Sequence, residues 1–362
     1  AAAAYRDCRL PPLPSDGEFL PRHRAELPVF CADTALAIGR AHDGKLARMT
    51  QSGRTALVLG ATGSFGGAMA LELGSRSWRV RALVRDPGRL KNPNIDAVQG
   101  DALDSATVAG AAEGAEIIVH GVNYPYHQWI PNMERVTSNA LRAARAQRAT
   151  LVFPGNVYGF GRQIDAPLPE SAGMRATGNK GRLRVRLETM LKAATADGEA
   201  RALIVRAGDY FGPTVRNGLV DRVFGHAALG KPMQVFGRLD ADHQWAYVPD
   251  LARMAVDLLE LGDRLEPFEI VHDRGHVARP QREFLRLVAR RAGRPDLAIR
   301  RLPWALLWLA GLADPVLREL RELRYLFDEA VVIDDPRRRA LLPDFRHTNV
   351  EQAVDETLRS YA

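Results

Sequence analysis

The sequence predicts an α/β protein built around a doubly wound parallel sheet, and three observations support this. Apolar runs of strand length alternate with amphipathic runs of helix length over residues 54–212. The first apolar run, residues 55–59, leads into a glycine-rich turn over residues 60–67 and then into a helix-forming segment. The alternation continues at intervals that suit right-handed crossovers between parallel strands.

The remaining elements of this core are expected in order along the chain. After the first strand, strands are predicted at residues 79–84, 95–99, 115–120, 150–153 and 202–205. Helices are predicted over residues 104–112, from Pro131 onward and over 181–196, and proline suits the first turn of a helix. The two longer helices each place apolar residues on one face at helical spacing. These residues are Met133, Val136, Ala140, Leu141 and Ala144 in one helix, and Leu183, Leu187, Leu191 and Ala194 in the other.

The glycine-rich turn predicts a phosphate-binding loop. Gly60 allows a tight turn, Gly63 lets backbone N–H groups approach a pyrophosphate, and Gly66 lets the helix pack close to the strand. The spacing is Gly-x-x-Gly-x-x-Gly, so the first two glycines are one residue further apart than in the common dinucleotide fingerprint. We expect a dinucleotide beyond the carboxyl ends of the strands, contacted by Gly60, Thr62, Gly63, Ser64, Phe65 and Gly66.

The end of the second strand predicts which dinucleotide binds. Arg85 stands where a guanidinium pairs with the 2′-phosphate of NADP, and Arg81 and Arg89 are nearby helpers. Asp86 keeps the NAD alternative open, because a carboxylate at this point accepts hydrogen bonds from the ribose hydroxyls. The sequence therefore favours NADP, with NAD possible.

The ends of the third and fourth strands supply further cofactor contacts. Asp101 and Ala102 follow the third strand, where a carboxylate can reach the adenine amino group. Gly121 follows the fourth strand, where a small residue lets the backbone lie against the cofactor. His120, just before it, is expected to pack at the sheet edge.

Composition and charge limit the class of protein and its partners. Residues 1–48 are expected to be an N-terminal extension, residues 49–212 a dinucleotide-binding core, and residues 213–362 a mixed substrate lobe whose segment 241–262 returns to the core. Both cysteines lie in the extension, so we expect no cysteine metal site in the main body, and a reduced, cytoplasmic setting. A net charge of +7 suits a phosphate-bearing cofactor and is weak evidence for nucleic-acid binding, so the expected partner is a small-molecule substrate.

The most apolar segment, residues 303–312, leaves two alternatives open. It is too short to span a bilayer, which takes about 20 residues. It could lie in a membrane surface as a peripheral contact or line a pocket, or it could be a helix packed under the substrate lobe. Leucines at 317, 320, 323 and 326 and Phe327 then alternate with charges, which is typical of an ordinary amphipathic helix.

Residues 54–360 resemble an extended short-chain dehydrogenase/reductase of the NAD-dependent epimerase/dehydratase type. The motifs that carry the resemblance are Gly60 to Gly66, Gly100-Asp101, Val157-Tyr158-Gly159, Val205 to Pro213, Gly230-Lys231-Pro232 and His243 to Ala252. The resemblance implies a Rossmann-type core with a smaller C-terminal substrate lobe, a nicotinamide cofactor and a homodimer.

The catalytic unit of that family is only partly matched. It consists of a serine or threonine followed by tyrosine-x-x-x-lysine, in which the tyrosine transfers a proton. The serine position falls on Pro154, a further cofactor contact, and no tyrosine lies between Tyr158 and Tyr210. One alignment puts Lys180 at the tyrosine position and Arg184 at the lysine position, and a shift of four residues puts Lys180 at the lysine position.

A positioned general acid is worth roughly 10²–10⁴-fold in rate, so an enzyme without the standard tyrosine needs a substitute. The catalytic candidates are Lys180 and Tyr158, and Lys180 could instead bind the cofactor ribose. His243 stands where many nucleotide-sugar enzymes of the family carry an arginine that holds the diphosphate. The candidate substrate contacts are Asn123, Tyr124, Asn156, Tyr210 and His243.

Two functional hypotheses follow. The first is an NAD(P)-dependent oxidoreductase or epimerase-like enzyme with an atypical active site, acting on a small or apolar carbonyl or alcohol. The alternative is a non-catalytic NADP-binding sensor or scaffold that keeps the glycine loop for binding alone.

Overall fold

A seven-stranded sheet in which all neighbouring strands are parallel forms the centre of the molecule. The structure, a computed structural model, describes residues 53–163 and 167–361, and the extension expected over residues 1–48 lies outside them. The strands are β1 (Thr55–Leu59), β2 (Arg79–Val84), β3 (Asp96–Gln99), β4 (Ile117–His120), β5 (Thr150–Gly155), β6 (Arg201–Ala207), β7 (Asp209–Phe211), β8 (Met233–Val235), β9 (His243–Tyr247), β10 (Phe268–Asp273), β11 (His276–Ala278) and β12 (Ile299–Arg301). The order in the central sheet is β10-β6-β5-β4-β1-β2-β3, which confirms the predicted fold class.

Helices cover both faces of this sheet. Those of five residues or more are α1 (Ser64–Ser75), α2 (Ser105–Ala111), α3 (Trp129–Gln147), α4 (Asn179–Ala194), α5 (Val248–Leu259), α6 (Gln281–Arg291), α7 (Trp304–Ala310), α8 (Pro315–Glu319), α9 (Pro336–Leu341) and α10 (Val350–Arg359). Successive side chains of β1 point to opposite faces, so Ala56 and Val58 join one core while Leu57 and Leu59 join the other. The first core includes α1 and α5, and the second includes α2, α3 and α4.

The smaller elements lie beyond the carboxyl ends of the central strands or follow them in the chain. A three-stranded sheet has the order β11-β9-β7, and β12 pairs with β8. Within the part of the chain that the structure describes, no helix is both long and apolar enough to cross a membrane. Outside the segment 241–262 that was expected to return to the core, residues 268–273 also contribute a strand, β10, to the central sheet.

The turn after β1 is held against the turn after β4 by three glycines. Gly60 has a left-handed φ of +78°, and a Cβ placed on it would lie 2.7 Å from the carbonyl carbon of Gly121. A Cβ on Gly66 would lie 2.4 Å from the carbonyl oxygen of Gly60, and one on Gly121 would lie 2.6 Å from the Cα of Gly66. The beginning of α1 therefore reaches the sheet edge only because these three residues have no side chain.

We predict that Gly66→Ala destabilises the protein by about 1–3 kcal/mol, because the added methyl group overlaps the backbone of Gly60. Gly74→Ala, in the same helix, is the matched control, since a Cβ there meets no atom within 4 Å. The control should be neutral or stabilising by up to about 1 kcal/mol through helix propensity. Thermal and chemical unfolding would measure both, and equal midpoints for the two variants would contradict the steric argument.

Candidate active site

A deep cleft of about 710 Å³ lies at the carboxyl ends of β1 and β4, where the strand order reverses direction. It runs from the glycine loop, residues 60–65, to the segment of residues 304–328, which we call the lid segment. In α/β sheets of this kind, ligands bind at the point where the strand order reverses. The cleft therefore lies where the sequence places its dinucleotide.

The glycine loop presents backbone N–H groups to one end of the cleft. Thr62, Gly63, Ser64 and Phe65 line it, and the last two are the first residues of α1. Gly63, at the N-cap position, has no side chain to accept from the first N–H groups, and the first turn carries no acidic residue. The positive end of α1 is thus free of a local anion, as an anion-binding terminus requires. Gly66 does not line the cleft and packs against Gly60 instead.

The basic residues after β2 separate into two groups. Arg85 and Arg89 line the cleft. Asp86 does not, because its carboxylate accepts the N–H of Gly88 at 3.0 Å within its own turn. Arg81 also lies elsewhere and donates to backbone carbonyls near the end of α2.

The other predicted contacts mostly meet in the same cleft. Of the expected cofactor residues, those that line it besides the glycine loop and Arg85 are Asp101, Ala102, Gly121 and Pro154. The expected substrate contacts that line it are Asn123, Tyr124, Asn156, Tyr210 and His243. His120 lies at the floor of the cleft, fully buried, with its Nε2 3.1 Å from the hydroxyl of Thr137. Burial lowers its pKa to about 4, so it is neutral at physiological pH.

Two tyrosine hydroxyl groups meet near the middle of the cleft. The hydroxyl oxygens of Tyr126 and Tyr158 are 2.8 Å apart, and both residues line the cleft. Trp129 supports the pair, since its ring stacks on Tyr158 at 6.0 Å and meets Tyr126 edge-on at 5.1 Å. The indole N–H of Trp129 donates to the carbonyl of Tyr124 at 2.9 Å, which fixes the orientation of the ring.

Burial keeps both phenols protonated. It raises the pKa of Tyr126 to about 12 and raises that of Tyr158 well above the usual value. The nearby carboxylate of Asp209 raises both pKa values further, whereas the positive charge of Arg184 lowers them. The pair therefore carries protons at neutral pH, and it is a poor base there.

Arg184 lies at the cleft, one helical turn after Lys180 on α4. Its guanidinium is buried, donates to the carbonyl of Pro154 and lies 4.7 Å from the ring centre of Phe153. The same burial lowers its pKa, although the pKa of an arginine is high enough that the group remains charged. Arg184 thus supplies a fixed positive charge beside the tyrosine pair.

Lys180 is not among the residues that line the cleft, although its ammonium nitrogen lies 5.3 Å from the ring centre of Tyr126, which does line it. Its side chain is 1% exposed, and its ammonium group pairs with Glu319 and, at 2.9 Å, with Glu322 of the lid segment. Glu322 also accepts the backbone N–H groups of Asn179 (2.7 Å) and Lys180 (2.9 Å) at the start of α4. Lys180 therefore fastens the lid segment to α4, and of the two predicted catalytic residues only Tyr158 lines the cleft.

His243 is paired with an acid. Its Nε2 lies 2.9 Å from Asp209 Oδ2, and both residues line the cleft. The phenol of Tyr210 lies nearby in the chain, and burial raises its pKa. A histidine paired with a carboxylate has no net positive charge to offer. It is therefore a weaker ligand for a diphosphate than a free arginine.

Several lining residues were not selected from the sequence. The lid segment contributes apolar side chains that the amphipathic pattern placed on an ordinary helix, namely Val316, Leu317, Leu320, Leu326 and Phe327. Arg216 and Arg222 also line the cleft. The spacing of these leucines and arginines in the sequence does not indicate a pocket, because the cleft forms only when segments far apart in the chain meet.

Known proteins match this chain in sequence and in fold. It is 24% identical over 209 residues to the uncharacterized protein y4nG of Sinorhizobium fredii (strain NBRC 101917 / NGR234), covering 56% of this chain and 52% of that protein. The chain thus spans about half the length of the curated relatives it matches.

Solved structures share the fold at low identity. The Bordetella bronchiseptica enzyme WbmH in complex with NAD+ is 18% identical, with a TM-score of 0.67, over 85% of this chain and 98% of that one. UDP-glucose 4-epimerase from Thermotoga maritima with UDP-glucose is 14% identical, with a TM-score of 0.67, over 85% and 98%. The model of the NAD dependent epimerase/dehydratase family matches residues 56–272. This chain therefore belongs to the NAD dependent epimerase/dehydratase family.

Proposed function

We propose that the protein is an NAD(P)-dependent oxidoreductase or epimerase-like enzyme that acts on a carbonyl or alcohol through an atypical proton donor. The observation that carries the proposal is that one cleft joins the glycine loop to the hydroxyl pair of Tyr126 and Tyr158. When bound, NAD or NADP supplies or accepts a hydride. The protein must then move a proton at the substrate oxygen.

The residues present fit a dinucleotide. The uncapped start of α1 offers N–H groups to phosphates, and the lack of side chains at Gly60 and Gly121 keeps the backbone of both turns close together. Arg85 and Arg89 supply positive charge at the adenosine end, and Asp101 offers a carboxylate there. NADP is favoured over NAD because the guanidinium-bearing Arg85 lines the cleft and the alternative carboxylate, Asp86, does not.

Tyr158 is the proposed general acid. Its hydroxyl shares a hydrogen bond with Tyr126, so Tyr126 holds it in place. Arg184 stabilises the negative charge that develops when the proton leaves, since it is the cation that lowers the pKa of both phenols. Trp129 packs against both rings, and the lid segment lines the same cleft.

The alternative function is NADP binding without turnover. It is favoured by Lys180, because this residue stands at the tyrosine position of the family under one alignment and its ammonium is engaged in ion pairs. The two functions are distinguished by turnover with a panel of carbonyls and alcohols. Cofactor binding without any turnover would support the alternative.

We predict that Arg85→Ala weakens NADPH binding by roughly 10- to 100-fold, because a charge-assisted contact to the 2′-phosphate is lost. NADH binding should change much less. Arg79→Ala is the control, since Arg79 lies on the same strand and pairs with Asp96 at 2.9 Å. Titration calorimetry with both coenzymes would measure the affinities, and equal losses for NADPH and NADH would remove the argument for NADP.

We predict that Tyr158→Phe lowers kcat by roughly 10²-fold or more with a smaller effect on KM, because the proton donor is lost while the ring is kept. Tyr126→Phe should have a smaller effect, since it removes only the hydrogen-bond partner. Tyr361→Phe is the control, because its hydroxyl bonds Asp221 and the residue does not line the cleft. An unchanged kcat in Tyr158→Phe would assign the proton to another group.

The raised pKa values predict a pH dependence with a definite sign. Carbonyl reduction needs a protonated hydroxyl and alcohol oxidation needs a deprotonated one. With the pKa of Tyr126 at about 12 and that of Tyr158 also raised, both remain protonated at neutral pH. Between about pH 6 and pH 9, kcat should stay level for reduction and should rise for oxidation. A reduction rate that falls steeply within this range would show that the donor has a lower pKa.

A further inference from the structure

The substrate end of the cleft is apolar because of the lid segment. Leu317, Leu320 and Phe327 of that segment line it, together with Phe236 of the main body. The lid segment is fixed over the cleft by the ion pairs to Lys180 and by the hydroxyl of Tyr325, which donates to the carbonyl of Tyr158 at 3.3 Å. An apolar surface is thus held next to the proposed proton donor.

Two other arginines that line the cleft, Arg216 and Arg222, are already engaged. Arg216 donates to three backbone carbonyls, with distances of 3.2 Å to Pro213, 2.8 Å to Val215 and 2.5 Å to Ser360. Arg222 donates to the side-chain oxygen of Gln234 at 2.5 Å. A diphosphate that binds these arginines has to compete with these acceptors, and hydrogen bonds from a charged group are stronger than those between neutral groups.

Acidic groups at the same end disfavour an anion further. Asp209 lines the cleft and is bonded to His243 at 2.9 Å, and Asp242 lines it while pairing with Arg279 at 3.2 Å. A diphosphate placed here would meet the carboxylate of Asp209, and like charges repel most strongly in a partly buried site.

We propose that the substrate is an uncharged carbonyl or alcohol with an alkyl or similarly apolar group that lies against Leu317 and Leu320, and that Asp209 excludes nucleotide diphosphate sugars. The inference rests on the proposed function, since it assigns the substrate class of the same cleft. Leu317 is the residue that should determine affinity for the apolar group. Asp209 is the residue that should determine rejection of the anion.

The wild-type protein saturated with NADP+ provides the first test. 2-Decanone is a suitable probe because a ketone and NADP+ cannot react with each other, and UDP-glucose is the competing probe. Titration calorimetry should give at least tenfold tighter binding of 2-decanone. Tighter binding of UDP-glucose, or binding of neither probe to the NADP+ complex, would overturn the inference while leaving the proposed function in place. A protein that binds neither NADP+ nor NAD+ would overturn the proposed function, and the inference with it.

A matched pair of variants locates the apolar group. Leu317→Glu should weaken 2-decanone binding at least tenfold, because it puts a charge on the wall of the cleft. Leu312→Glu is the control, since Leu312 is 64% exposed and does not line the cleft. It should change the affinity by less than twofold. Retained NADP+ binding verifies that each variant is folded, and Leu320→Gln replaces Leu317→Glu if that variant loses it. Wild-type affinity for 2-decanone in both cleft variants would overturn the placement.

A single substitution tests the exclusion of anions. Asp209→Asn keeps the shape of the side chain and removes its charge, so it should raise the affinity for UDP-glucose severalfold while changing that for 2-decanone little. An unchanged or lower affinity for UDP-glucose would show that Asp209 does not act in this way.

Discussion

The whole arrangement depends on the close approach of three backbone segments at Gly60, Gly66 and Gly121. Because none of these residues has a Cβ, the turn after β1, the start of α1 and the end of β4 occupy a space that side chains would fill. This contact points the positive end of α1 toward the cleft and fixes how α1 packs against the sheet. Without it the cleft would lose the surface on which phosphate recognition is proposed.

A second constraint is the burial of the Lys180 ammonium group. A buried charge is tolerated only with partners, and here the partners are two glutamates of the lid segment. Lys180, at a position that could hold a proton donor, thus forms structural ion pairs instead. The lid segment becomes part of the cleft wall. The hydroxyl pair of Tyr126 and Tyr158 then provides the only phenol-to-phenol hydrogen bond among the residues that the structure describes.

Local sequence patterns were sufficient for the elements whose burial follows from their own composition. Strands β1 and β2 begin and end where the apolar runs predict, and the cleft collects most of the predicted contacts. Strand β10 was missed because Glu269, His272 and Asp273 are buried in it, and their partners include Arg337 and Arg206, far away in sequence. The ion pairs of Lys180 were missed for the same reason, since its two glutamates follow it by 139 and 142 residues and no local spacing connects them.

The ion pairs of Lys180 have a consequence for how this active site can change over generations. Under the alignment that puts Lys180 at the tyrosine position of the family, replacing it by tyrosine would restore that phenol, but Glu319 and Glu322 would be left without their shared counter-charge. That replacement is therefore unfavourable unless both acids change as well. The residue at position 180 and the two glutamates are thus linked as mutually dependent substitutions.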